Sequence, residues 1–454
     1  GICFICINRG QNEKSEEYSL KKMSFIVKTA KTLRNHWKKS TFFFCVTVYG
    51  LKYANDRHND NLLRRQYCEE AERYGDEIIQ LGHRPKRVTV FLNPAAHGGK
   101  ARKLFEKTAA PILYLAGIEV NVVSTEYEGQ VKNFMTVLDT TDTDAVVVAG
   151  GNGTLLEAVT GFLRKEDRNF RENIPVGVIP LGSSNRVFKT IFGPDLGEVR
   201  SIAEAAIAVV RSVTKKVDVI KLDGGEGKTI YAMTGLEVGA YRDAEERKSK
   251  YWYFGPLKSR WTYLRTAMKA WPPTLAASLS YIEATEQNVS SDEDCDNLQP
   301  SKSKIGWNFI SFLFGRKPTE KKEADTKAKE AEQEEEDEKH RITKEISTVE
   351  LTVTTTALTK QQTPLKALQV TLGPTEPTKT QLIKEGWRRI KKTEFEMGSN
   401  GDDKIIVKKL HIEPKQEGQW YNIDGESFEA MPTDISLLRN KLNFFCPQET
   451  SSDR

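Results

Sequence analysis

From about residue 87 the chain alternates short apolar runs with longer amphipathic ones. Val88–Leu92, Val120–Ser124, Ala145–Ala149 and Val176–Leu181 read as strands, and Lys100–Leu115, Gly129–Leu138 and Leu155–Leu163 read as the helices between them. One strand every 25 to 32 residues, about the length of a βαβ unit, predicts a parallel, doubly wound α/β sheet. From Val217 the texture changes to shorter alternating segments: Val217–Leu222, Thr229–Met233, Ala277–Ile282, Thr348–Thr354 and Lys404–His411. These predict a second, β-rich lobe with one helical stretch around Pro256–Ala270. The two lobes are expected as separate sheets over 87–216 and 217–446, followed by a short tail, 447–454.

The β pattern breaks in a charged insertion over 286–344. Thr319–Lys339 is almost entirely Lys, Glu, Asp, Ala and Thr, which predicts a solvated helix or a disordered segment. Inside the same insertion Ile305–Phe314 carries Trp307, Phe309, Phe312 and Phe314 between basic flanks. That composition suits membrane-interface contact, or alternatively a plug docked on the core.

Ahead of the lobes the chain reads in three parts: 1–22 as an extension, 23–60 as a targeting or anchoring segment, and 61–86 as a helical connector. From Met23 to Asn55 there is no Asp or Glu, while Lys28, Lys31, Arg34, Lys38, Lys39 and Lys52 are present. Ile26, Ala30, Leu33 and Trp37 fall on one helical face, giving the basic amphipathic helix of a mitochondrial presequence or a membrane-surface element. The apolar stretch Thr41–Leu51 would span roughly 16 Å as a helix, about half a bilayer core, so it reads as an anchor or surface-lying segment. A buried helix packed on the globular part is the alternative.

Composition narrows the function. The 454 residues are 38% hydrophobic and 29% charged, with a net charge of +5. No dense basic stripe marks a nucleic-acid binder. Six scattered cysteines make no disulfide framework, and neither the Cys3/Cys6 pair nor the six histidines form a metal-ligand pattern.

Three glycine-bearing loops follow three of the parallel strands, where open sheets place their ligands. They are Asn93-Pro94-Ala95-Ala96-His97-Gly98-Gly99-Lys100-Ala101, Gly150-Gly151-Asn152-Gly153-Thr154 and Pro180-Leu181-Gly182-Ser183-Ser184-Asn185. Glycine lets a backbone approach phosphate oxygens closely, and N–H groups at helix starts donate to them. One such loop is usually just a turn; three in register on one sheet point to a phosphate ligand.

These loops resemble the diacylglycerol and sphingosine kinase superfamily. NPAAHGGKA is similar to its NPxxGxGKA opening, with His97 at the first glycine. GGNGTLLEAVTG is similar to GGDGTxxExxNG, and PLGSSN to P-x-G-T-x-N. Thr125-Glu126 looks like a nucleotide-contacting Thr-Glu, Val217-Asp218 and MTGLEVG (233–239) like the start of the lipid-binding lobe, and Asp424-Gly425-Glu426 like the late DGE motif. Finer similarity at Lys31–Lys39, Thr125–Gln130, Ser249–Lys258 and Glu429–Pro432 points to the mitochondrial acylglycerol kinase branch.

The resemblance implies a phosphofructokinase-like ATP-binding lobe, a β-rich lipid-binding lobe, and a return of Leu437–Cys446 to the first lobe. It implies ATP and Mg²⁺ as cofactors and an acylglycerol as the phosphoryl acceptor. Asn93, Pro94, Gly99, Thr125, Glu126, Gly150, Gly151, Gly153, Thr154, Gly182, Ser183, Asn185 and Asp424 would contact nucleotide. It further implies the mitochondrial inner membrane, facing the intermembrane space, with subunits of its carrier translocase as partners.

Glu426 is the expected general base. The family's GGDGT aspartate is Asn152 here, and a neutral amide cannot accept the proton and holds a hard cation poorly. Two alternatives stay open: a kinase working through Glu426, or a pseudokinase acting as a membrane-bound scaffold. An NAD kinase shares a GGDGT-type loop but would lack the NP…GKA opening, the PLGSSN loop and the basic amino-terminal segment.

Overall fold

The computed structural model describes residues 36–77, 84–193, 196–225, 229–268, 271, 275–285, 340–356, 366–391, 403–416 and 418–448. The presequence face from Ile26 to Leu33, the aromatic segment Ile305–Phe314 and the charged run Thr319–Lys339 lie outside them. The chain divides into two compact units, Gly1–Gln66 and Tyr67–Arg454.

In the first unit a helix begins at Trp37 and runs through both the apolar stretch and the expected connector; it ends at Gly75, beyond the unit's boundary. Phe42, Phe43 and Phe44 are each about two-thirds exposed, and Val46, Val48 and Leu51 are exposed as well, so Thr41–Leu51 is not a buried core helix. No helix among the described residues is long and apolar enough to cross a membrane.

In the second unit the parallel strands are β1 (Arg87–Leu92), β2 (Glu119–Ser124), β3 (Ala145–Gly150) and β4 (Val176–Pro180), in the order β2-β1-β3-β4. β3 and β4 are buried at every position, which is why they read as unbroken apolar runs: helices cover both faces. The helices Asn152–Arg164 and Glu198–Arg211 supply much of that cover, and Ala71 packs into the same core.

The β-rich lobe is antiparallel. Its strands are β5 (Thr214–Asp223), β6 (Thr229–Ala232), β7 (Gly235–Gly239), β8 (Leu275–Glu283), β9 (Ile342–Thr348), β10 (Glu350–Thr355), β11 (Leu368–Leu372), β12 (Asp403–Pro414), β13 (Trp420–Ile423), β14 (Glu426–Glu429) and β15 (Thr433–Phe445). The hydrogen-bonded path is β14-β13-β7-β10-β11-β12-β15, with β5 and β6 off β15 and β8 and β9 off β12.

Two sequence expectations change here. The sheets are not separate: β15 continues into the parallel sheet through one register pair, Phe444 opposite Val176. The hydrophobic cores remain distinct, and Leu442, Phe444 and Phe445 join the core of the parallel lobe, so the carboxyl-terminal return is observed. The single strand expected over Thr348–Thr354 is two strands, broken at Val349. There the Val349 carbonyl accepts from Ala240 N–H, and the Thr348 hydroxyl donates to Gly373 O at 2.6 Å. The corner lets β9 pair with β8 while β10 pairs with β7 and β11.

Three helices, Ala240–Arg247, Lys258–Ala267 and Lys379–Lys391, share a small third core containing Tyr241, Tyr263, Val349 and Leu382. Arg389 fastens it: the guanidinium is bidentate to the buried Glu350 at 2.7 and 2.6 Å, bonds Glu385 at 3.1 Å and lies 4.0 Å from the Tyr241 ring centre. Burial works against ionisation of Glu385, but donors from Arg388 and Arg389 win and hold its carboxyl down at about 2.

Candidate active site

The three glycine loops meet at the carboxyl ends of β1, β3 and β4. Asn93, directly after β1, donates its backbone N–H to Ala149 O at 3.0 Å and its Nδ2 to Thr154 Oγ1 at 3.0 Å, tying the first loop to the second. Its Oδ1 accepts from Ala95 N at 3.0 Å, closing the turn around Pro94. The second and third loops touch backbone to backbone: a Cβ on Gly182 would lie 2.5 Å from Gly151 Cα. A Cβ on Gly150 would meet the buried Thr154 side chain at 2.9 Å.

His97, Gly98 and Gly99 are three consecutive left-handed residues, with φ of 54, 62 and 82°. His97 holds a left-handed backbone that favours glycine, at a cost of about 1 kcal/mol. Its Nε2 lies 3.2 Å from the Glu198 carboxylate. Beside Gly98 and Gly99 no atom lies within 4 Å of where a Cβ would be, so this left-handed arc opens on free space.

Asn152 is buried at the start of its helix and joins the second loop to the third. Its Oδ1 accepts from Arg186 N–H at 2.9 Å, and its Nδ2 donates to Ser184 Oγ at 2.6 Å. Asn185, itself left-handed at φ 47°, closes the third loop, its Oδ1 accepting from Gly182 N at 2.9 Å and its Nδ2 donating to Gly182 O at 3.0 Å. Ser183 at the tip is exposed.

The Asp424-Gly425-Glu426 turn between β13 and β14 sits on this assembly. Gly425 has φ 98°, and a Cβ there would fall 2.4 Å from Asn152 Nδ2; only glycine fits. A Cβ on Gly153 would meet the Glu426 carboxyl at 3.0 Å, so the carboxyl lies directly against the Gly153 backbone. Burial pushes the half-buried Glu426 above the usual carboxylate range; the Gly153 N–H opposes the rise, and the charges of Glu128, Glu246 and Glu157 add to it.

Asp424, expected among the nucleotide contacts, opens this turn. Its buried carboxylate faces the start of β7, accepting from Met233 N (2.7 Å), Thr234 N (2.7 Å), Thr234 Oγ1 (2.6 Å) and Gly235 N (3.1 Å). It locks the turn that presents Glu426. Thr125 is buried, with its N–H on Leu92 O at 2.9 Å, and Glu126 is exposed, with its N–H on Gln130 Oε1 at 2.6 Å. Among the described residues no hydrogen bond or ion pair joins either side chain to the glycine loops.

Sequence reasoning missed three side chains that connect the parts. Arg186, directly after the third loop, pairs with Glu237 of β7 at 3.0 Å, and Asn422 Nδ2 donates to the same Glu237 oxygen at 3.2 Å. Arg242 is buried, and its Nη2 donates to Ser427 Oγ at 2.6 Å, whose hydroxyl in turn donates to Glu246 at 3.0 Å. Glu157 lies near the start of the helix Gln130–Val137, and burial pushes its carboxyl above the usual range against the opposing Gly129 and Val131 N–H groups. Glu237 stands inside a recognised motif and Arg186 directly after one, but nothing local in the sequence pairs them. Among the described residues no cluster of three or more His, Cys, Asp or Glu side chains is arranged to hold a metal ion.

Residues 87–222 match the diacylglycerol kinase catalytic domain family, and residues 233–453 match the acylglycerol kinase C-terminal family. The mitochondrial acylglycerol kinase of Homo sapiens is 37% identical over 92% of this chain and 96% of its own length. That of Xenopus laevis is 37% identical over 93% and 96%. A solved diacylglycerol kinase structure from Bacillus anthracis aligns over 82% of this chain and all of its own, at 18% identity and a TM-score of 0.48.

Proposed function

The chain belongs to the acylglycerol kinase family, and on that premise we propose that it transfers the γ-phosphoryl group of ATP to the free hydroxyl of a monoacyl- or diacylglycerol. The acceptor oxygen attacks phosphorus, the bond to the β,γ-bridging oxygen breaks, and ADP leaves with the bond's electron pair. The acceptor proton passes to Glu426. The products are lysophosphatidic or phosphatidic acid, and ADP.

The observation that carries this reading is the seat of Glu426: a half-buried carboxyl packed against Gly153 beside the glycine loops, with its proton affinity raised by burial. A base works best when its pKa approaches the operating pH. The open left-handed arc at Gly98 and Gly99 and the Gly151/Gly182 contact suit a triphosphate approached by backbone. Gly150, Gly153, Thr154, Gly182, Ser183 and Asn185 would position it. Mg²⁺ commonly takes one or two carboxylates plus substrate phosphates, so an ion arriving with ATP needs no preformed cluster; bound beside Glu426 it would offset phosphate charge. Asn152 serves as a brace between two loops, for which an amide suffices.

The printed names of the relatives support a mitochondrial location, and the exposed phenylalanines of the first unit support attachment to a membrane. Of the inner membrane's faces, the one on the intermembrane space is the assignment we adopt. One observation favours a second reading: with Asn152 neutral, the protein would be a catalytically weak scaffold, binding lipid or carrier-translocase subunits. Labelled ATP, with and without Mg²⁺, and a panel of monoacylglycerol, diacylglycerol and sphingosine tests the proposal. Label in a phosphoglyceride supports it; no label in any lipid favours the scaffold.

A further inference from the structure

A second part of the second unit exposes aromatic side chains among lysines. Lys248–Leu257 is a ten-residue stretch of tight 3₁₀ turns with no buried residue, between the helices Ala240–Arg247 and Lys258–Ala267. Trp252 is 76% exposed, Tyr253 61% and Leu257 58%. The tip has a built frame: Gly255, at φ 53° and ψ −127°, takes a backbone that glycine alone tolerates well, and Phe254 stacks on Trp261 at 4.7 Å. The exposed rings are thus presented by a fixed turn.

Charge says what the tip fits. No Asp or Glu occurs from Lys248 to Ile282, while Lys250, Lys258, Arg260 and Arg265 fall within that stretch. Lys250 and Lys258 make no ion pair among the described residues. Trp and Tyr beside free lysines are the residues that settle at a membrane–water interface, rings at the headgroup level and ammonium groups on lipid phosphates. On the far side of the adjoining helix, Arg242 bonds Ser427, the residue after Glu426. One short helix therefore separates the aromatic tip from the DGE turn.

We propose that Trp252, Tyr253 and Leu257, with Lys250 and Lys258, form an interfacial docking surface that seats the β-rich lobe on an anionic lipid bilayer, where the lipid acceptor is taken up. Docking is separate from any attachment through the first unit. The link to acceptor uptake rests on the lipid kinase reading.

The test uses the full chain and vesicles of phosphatidylcholine with and without phosphatidylserine. Brominated phosphatidylcholine should quench part of the tryptophan emission, and Trp252→Phe should remove a measurable share of that quenching. Lys250→Gln and Lys258→Gln should each weaken binding to the anionic vesicles by about fivefold and barely change binding to neutral ones. A Trp252→Ala/Tyr253→Ala/Leu257→Ala variant should lose roughly tenfold in phosphorylation of vesicle-borne diacylglycerol, while a water-soluble short-chain acceptor reacts within about twofold of the natural rate. Should no acceptor be phosphorylated at all, the kinase reading fails, and the quenching result still decides the docking. Equal quenching in the natural chain and Trp252→Phe overturns the proposal and assigns this face to a protein partner.

Discussion

The two lobes build their halves of the site from different materials. In the parallel lobe the pieces are backbone: Gly98 and Gly99 in a left-handed arc, Gly151 against Gly182, and Gly153 beneath Glu426. In the antiparallel lobe they are buried or partly buried charged side chains: Asp424 on four donors, Glu350 on Arg389, and the partly buried Glu237 on Arg186. Backbone approach depends on space, so added atoms should damage rate more than stability. Buried charges depend on partners, so lost partners should damage stability first.

Asp424 gives the largest expected effect on the charged side. Asp424→Ala leaves the buried donors of Met233, Thr234 and Gly235 without acceptors, and should cost roughly 3 kcal/mol or more of stability, read by urea unfolding. Activity should fall with it because the Glu426 turn loses its anchor. A variant as stable as the natural chain would break the comparison. Gly153→Ala tests the other lobe. Its φ is not left-handed, so alanine should leave the melting temperature unchanged or slightly raised. The added Cβ displaces the Glu426 carboxyl by a few tenths of an ångström, and kcat should drop roughly tenfold. The smallest effect belongs to the link between lobes. A double-mutant cycle of Arg186→Met and Glu237→Gln should give a coupling of about 1 kcal/mol, since this pair is only partly buried.

The same difference in materials governs what the sequence revealed. The parallel strands stand within a residue or two of their apolar runs; for β1, β3 and β4, burial on both faces writes their length directly into composition. The glycine loops are local and contiguous, so all three were legible. The β-rich lobe was read less completely. β7, β9, β11, β13, β14 and β15 and the helix Lys379–Lys391 were not read as elements, although Leu382, Ile383, Trp387 and Ile390 follow a helical period. The break at Val349 arises from pairing with distant partners, which no window of sequence contains. Arg186 and Glu237, or Arg242 and Ser427, are far apart in the chain and meet only through the sheet order.

The central claim is that Glu426 takes the acceptor proton while Asn152 braces two loops. Phosphotransfer to monoacylglycerol by the natural chain, Glu426→Gln and Asn152→Asp, followed across pH, tests it most directly. Glu426→Gln should lose roughly 10²–10⁴-fold. It should also melt slightly higher at neutral pH: a carboxyl with a raised folded pKa favours the fold only while protonated, and that contribution is lost as pH rises through the folded pKa. Asn152→Asp should keep the natural rate or exceed it, and activity of the natural chain should fall on acidification at a pH above the ordinary glutamate range. Full activity in Glu426→Gln, or an inactive natural chain that Asn152→Asp switches on, would contradict the account.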